Sequence, residues 1–255
     1  MRKVWTIIWA ALAGGFVASV AWADPPGDRG FTVDFSQCTE AVGVGPVDFA
    51  RASALVPSAF TTLPVGSTAA IVVRATSCAG AKVNGASPVP TIISQIGIEI
   101  VPPDGTGDIN NYTLIYVTNN EDLTEASRTV GLPAFFDPTI TYEFTYNSTG
   151  EAGELYVEAA GEGLPAYFLS GTETDPAGAG FDFKANWWFK GPAGIIKQAS
   201  DFPNIAFGTA SVSLHTSRSS LLGRLIGGNT DADFHFLPLR GVYASAHMDV
   251  TVSTK

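Results

Sequence analysis

No stretch of this chain runs far without a breaker. Runs rich in Val, Ile, Thr, Phe and Tyr alternate with clusters of Gly, Pro, Asn and Asp along most of its length. Residues that suit a pleated, half-buried surface, cut at short intervals by turn formers, predict a strand-dominated domain. Ala69–Thr76 reads as one strand and Thr91–Val101 as another, stopped by Pro102-Pro103-Asp104-Gly105. Tyr112–Thr118 and Ile140–Tyr146 follow, the second ending at the turn Asn147-Ser148-Thr149-Gly150, with Glu154–Ala159 as its hairpin partner. Helical signals are few. Val47–Leu55 is ended by Pro57, Asn120–Val130 carries an Asn cap, Glu121 and Asp122 in its first turn and Gly131 as its stop, and Ser217–Ile226 runs into Gly227-Gly228-Asn229. The fold class is therefore α+β, strand-dominated, with a few short helices. A single domain over residues 31–253 is the economical reading.

Arg2 and Lys3 precede an uncharged apolar stretch, Val4–Ala23, that ends on Ala21-Trp22-Ala23 before Asp24-Pro25-Pro26-Gly27. This is the layout of a cleaved signal peptide over residues 1–23, followed by a flexible lead-in over 24–30. An uncleaved anchor is the alternative. Cutting after Ala23 leaves 232 of the 255 residues and moves the formal charge from −10 to −12, since Arg2 and Lys3 leave with the peptide. The acidic balance and the lack of any basic run exclude nucleic acid and anionic membrane surfaces as partners. The mature chain is expected to be periplasmic or extracellular. Two cysteines, Cys38 and Cys78, survive processing, and in an oxidising compartment they predict a disulfide, with a pair of buried thiols as the alternative.

Few motifs carry chemistry. There is no G-x-S-x-G elbow, and Gly43-Val44-Gly45 runs into Pro46, which lacks the amide a phosphate would need. Asp231, Asp233 and His235 alternate along a strand, and a turn at Arg240-Gly241-Val242 would bring His235 beside His247 and Asp249, a set able to hold a metal or exchange protons; the outer face of a hairpin explains it as well. No metal site is assigned. The polar segment Asp104–Asn111 suits turns, or a ligand or cation. Arg74 lies on an apolar strand and needs an anionic partner, either a protein carboxylate such as Glu99 or the carboxylate of a bound molecule.

The order of pieces in the first two thirds resembles the acetoacetate decarboxylase superfamily. Ala54-Leu55-Val56-Pro57 follows a helix, Ile93-Ser94-Gln95-Ile96 matches a strand reached through a polar residue, and Tyr112–Asn120, Glu121–Arg128 and Gly131-Leu132-Pro133 match the family's strand, helix and Gly-Phe-Pro turn. The resemblance implies a β-barrel or sheet with short helices, an oligomer and a cavity for a small carbonyl or carboxylate compound. It also implies an imine-forming lysine just after the turn. This chain departs from it there: Ala134 and Phe135 stand in its place, and no lysine occurs between Lys82 and Lys184. Two functions remain. One is a small-molecule-binding protein without a cofactor, its cavity lined by Phe135, Phe136, Trp187 and Trp188. The other is a lyase, hydratase or isomerase using Gln95, Glu99 and Arg74 in acid–base chemistry.

Overall fold

The computed structural model describes residues 30–161, 163, 166–227, 234–235 and 237–254. The signal peptide, most of the lead-in, and Asp231 and Asp233 lie outside the described residues. Strands dominate, as the breaker pattern predicts. The first is β1 (Phe31–Asp48), followed by helix α1 (Phe49–Leu55), β2 (Thr68–Val83), β3 (Val89–Glu99) and β4 (Ile109–Thr118). Helix α2 (Glu121–Val130) then leads to β5 (Ala134–Phe136), β6 (Thr141–Tyr146), β7 (Ala152–Ala159), β8 (Tyr167–Thr174), β9 (Phe181–Gly191) and β10 (Gly194–Thr216). The chain ends with α3 (Leu221–Leu225), the two-residue β11 (Phe234–His235) and β12 (Leu237–Ser253).

The capping signals position α2. Asn120 Oδ1 accepts from the Leu123 amide at 3.0 Å, and Gly131, at φ 95°, closes the other end with its amide on the Arg128 carbonyl. The β6–β7 hairpin forms as expected, with Tyr146 opposite Gly153 around the Asn147–Gly150 turn. Two features were not read from the sequence. Phe31–Asp48, of which the sequence signals assign only Val47 and Asp48, and those to a helix, is a long strand paired on both sides. The turn considered at Arg240-Gly241-Val242 does not form: β12 runs straight through it, because all three residues pair with β1 on one side and with β10 on the other.

The strand order β12-β1-β2-β3-β4-β9-β10 closes on itself, since β10 also pairs with β12. All pairings in this ring are antiparallel except β4–β9. The far half of the 23-residue β10 leaves the ring to pair with β8, and β7 and β6 extend from there as a wing. One core lies between ring and wing, where Ile71, Val73, Ile96 and Ile98 meet Leu155, Val157, Leu169 and Leu214. The second joins Phe31, Val33, Phe35, Tyr116, Phe202 and Tyr243 with Leu123 and Val130 of α2. Cys38 and Cys78 face each other across β1 and β2 and are joined in a disulfide. Among the described residues no helix is long and apolar enough to cross a membrane.

Candidate functional site

Beside the second core the ring is hollow. A cavity of about 300 Å³ lies between β1, β2, β4, β9, β10 and β12. Period-two alternation sets its walls: Val42 and Val44 from β1, Val72 from β2, and Phe181, Phe183, Ala185 and Trp187 from β9 all line it. Phe202, Phe207 and Leu239 complete an apolar, aromatic lining, with the Phe183 and Phe207 rings edge to face at 6.0 Å. Phe181 and Leu239 are also exposed to solvent, which places them at the mouth. A register shift between Ile96 and Gly97 in the β3–β4 ladder shapes the inner wall. There the bare Gly97 makes room for Trp187, whose Cζ3 would lie only 2.8 Å from an added Cβ.

The floor is polar. Arg74 and Glu40 both line the cavity and are both buried. Arg74 donates from Nε to Glu40 at 2.8 Å, from Nη1 to Gln95 Oε1 at 3.4 Å and from Nη2 to Tyr243 Oη at 3.3 Å, and its guanidinium lies 5.4 Å from the Phe202 ring centre. Thr76 Oγ1 also donates to Glu40, at 3.1 Å. Burial works against the guanidinium's charge, but Glu40 and Tyr243 outweigh it and hold Arg74 above its ordinary range. Tyr243 is pushed up by burial first and by Glu40 second. In the lining the Asn111 amide and Trp187 Nε1, and behind it Nε2 of Gln198, whose Oε1 accepts from Gln95, are buried with no hydrogen-bond partner among the described residues. Unpaired buried polar atoms are rare because each costs about 1–3 kcal/mol, and a group of them in one place needs a functional account.

The expected site residues separate into two groups. Arg74, Gln95 and Trp187 come together at the cavity. Glu99 does not: it sits at the end of β3 opposite Asn111, lines no part of the cavity, and is pushed up by burial alone. The carboxylate that holds Arg74 is Glu40. Trp188 points to the opposite face from Trp187, donating from Nε1 to Asn110 at 2.8 Å beneath Lys197. Phe135 packs against the core between ring and wing, and Phe136 is exposed on the short β5. The residues missed in the sequence are Glu40, Tyr243, Phe183 and Phe202. Glu40 was legible as a carboxylate among apolar residues, but nothing local tied it to Arg74.

Other candidate groups are occupied structurally. Asp104 and Thr106 hold Lys197 at 2.6 and 2.8 Å, and Asn110 bridges to Asn186 and Trp188. His247 sits on the outer face between Asp34 at 2.6 Å and Asp249 at 3.3 Å, while His235 pairs with Ser213 on β10, away from it. Among the described residues no group of His, Cys, Asp and Glu could hold a metal. His215 stacks on Phe168 and bonds Ser170 at 3.1 Å, outside the cavity. Lys82 and Lys190 are exposed, and Lys184 is exposed and paired with Asp201 at 2.8 Å; among the described residues no lysine lines the cavity.

An acetoacetate decarboxylase-like enzyme from Sphingomonas wittichii RW1 is structurally similar, with a TM-score of 0.54 over 88% of this chain and 92% of that one, at 14% identity. The chain has the acetoacetate decarboxylase-like fold. An acetoacetate decarboxylase from Legionella pneumophila shares it with a TM-score of 0.53 over 87% and 86% of the two chains, at 8% identity. The enduracididine biosynthesis enzyme MppR, solved with pyruvate, shares it with a TM-score of 0.56 over 91% of each chain, at 11% identity. No family model matches the sequence, and no curated protein matches it. In this acetoacetate decarboxylase-like fold Ala134 is buried at the start of β5, and neither it nor Phe135 reaches the cavity.

Proposed function

We propose that this chain is an exported small-molecule-binding protein, its ligand held in the ring cavity. The observation that carries this reading is an apolar hollow whose inner end gathers a neutralised Arg74–Glu40 pair and several unpaired buried polar atoms. Concave, mostly apolar space with a few convergent polar groups is how small-molecule sites are built. The ligand is small, apolar or carbonyl- or carboxylate-bearing, and pyruvate bound to the similarly folded MppR supports that range. Among the described residues no lysine lines the cavity, which speaks against imine chemistry there. A general acid would need a carboxyl kept protonated beside the ligand, and Glu99 and Glu173, which burial pushes up, do not line the cavity. Export rests on the Met1–Ala23 pattern and is supported by the Cys38–Cys78 disulfide.

Native mass spectrometry on the protein purified from its own host tests both parts. The expected mature chain begins at Asp24 and carries a small organic molecule that denaturation releases. A Val42→Trp variant, which fills the hollow, is expected to lose it. A wild-type protein that releases nothing overturns the binding function, and an uncleaved chain overturns the processing.

A further inference from the structure

Resting on the cavity reading above, we infer that the ligand is an uncharged ring compound with one hydrogen-bond-accepting oxygen, and that Glu40 is the residue that turns anions away. Arg74 is the only cation among the described residues lining the cavity. Its charge is already met by Glu40 at 2.8 Å, which also accepts from Thr76 and, at 3.4 Å, from Tyr243. The position of Glu40 is built in: Gly241 lies across from it on β12, and a Cβ there would come 2.6 Å from Glu40 Cγ. A ligand carboxylate reaching the floor would have to share one guanidinium with Glu40. That leaves a net negative charge buried in an apolar lining, where an uncompensated ion is strongly disfavoured.

A neutral oxygen meets no such opposition. Each Nη of Arg74 carries two N–H groups and, among the described residues, is bound only through a long contact, 3.4 Å to Gln95 and 3.3 Å to Tyr243. Donors therefore remain for a ketone, lactone or ester oxygen. The rest of the lining is mostly apolar, with five aromatic rings set among aliphatic side chains, and it opens toward Phe181 and Leu239, so the oxygen points inward and the ring outward. The volume of about 300 Å³ is twice the roughly 150 Å³ that accommodates one benzene, which suits a bicyclic skeleton.

Three probes of one skeleton separate the alternatives: tetralin, 1-tetralone and tetralin-1-carboxylate, measured by titration calorimetry on the mature protein near neutral pH. The expected order places 1-tetralone about tenfold or more tighter than either of the others. In Glu40→Gln the freed Arg74 charge is expected to reverse the preference in favour of the carboxylate. Carboxylate binding equal to or tighter than the ketone in the wild type overturns the inference and leaves the binding function standing. If no probe binds but a host molecule is released, its charge decides: a neutral molecule supports the inference and an anion overturns it. If no probe binds and nothing is released, both fall. Should Glu40→Gln fail to fold, the wild-type order alone decides.

Discussion

Arg74 and Glu40 are stable at their depth only as a pair. Removing one leaves the other charged and buried, at a cost of about 3–5 kcal/mol, whereas replacing both by apolar groups of similar size removes the desolvation of two ions at once. Arg74→Met is therefore expected to lower the unfolding free energy by about that amount, and Arg74→Met/Glu40→Met to recover most of it, in urea denaturation of the three proteins. Glu173 is a second buried carboxylate, bound to Arg240 at 3.0 Å beside Asp175. Burial pushes its carboxyl up to about 7; Arg240 pulls the other way, and Asp175 and Glu40 add to the rise. The unfolded chain ionises this group near its ordinary 4.5, so between those values the folded protein holds a proton that the unfolded one has lost. Stability then falls as pH rises through that window and levels off above it. Glu173→Gln is expected to remove this part of the slope, seen by comparing urea midpoints at about pH 5 and about pH 7.5.

A single residue resets the alternation of β1. Phe31, Val33 and Phe35 lie in the second core, but beyond Gln37, at φ 49°, the inward series continues with Cys38, and Glu40 and Val42 line the cavity. Period-two reading from the N-terminus would have put Glu40 outside. The disulfide begins one residue later and ties β1 to β2 at this level. Its replacement by Cys38→Ala/Cys78→Ala is expected to cost about 2–4 kcal/mol, with calorimetry as the check. Helix α2 depends on Asn120 in two directions, since its Oδ1 caps Leu123 and its Nδ2 donates to Thr91 at 2.8 Å. Asn120→Ala is expected to lose about 1–2 kcal/mol, more than Asn120→Asp, which keeps the cap acceptor.

The molecule is a ring with a wing, and β10 belongs to both. Its pairing shifts between Phe202 and Ile205, around Pro203, which has no amide to donate. Beyond that point the strand passes from β9 to β8, with β12 still alongside it over Ala206–Thr209. Arg240 is the polar fastening between the parts: from β12 it binds Glu173 and, at 2.7 Å, Asp175, and it lies 3.7 Å from the centre of the Phe144 ring on β6. Arg240→Met is expected to raise amide hydrogen exchange in β6–β8 while leaving β1–β3 protected. Equal acceleration throughout would show that ring and wing open as one unit.

Turn chemistry and caps are local, and so the sequence by itself determined the strand-dominated class, the bounds of α2, the β6–β7 hairpin and the pairing of the only two cysteines. The resemblance around Tyr112–Pro133 pointed to the observed fold, and the lack of any lysine from Val83 to Phe183 was plain on reading. Adjacent tryptophans, by contrast, were taken as one wall although neighbours on a strand must face apart. Only the tertiary structure decided that Trp187 rather than Trp188 meets the cavity, that Glu40 rather than Glu99 holds Arg74, and that Val242 lies within a continuous strand. Each of these depends on which strands become neighbours when the ring closes. That is settled by the summed burial of many side chains distant in sequence, and no single segment records it.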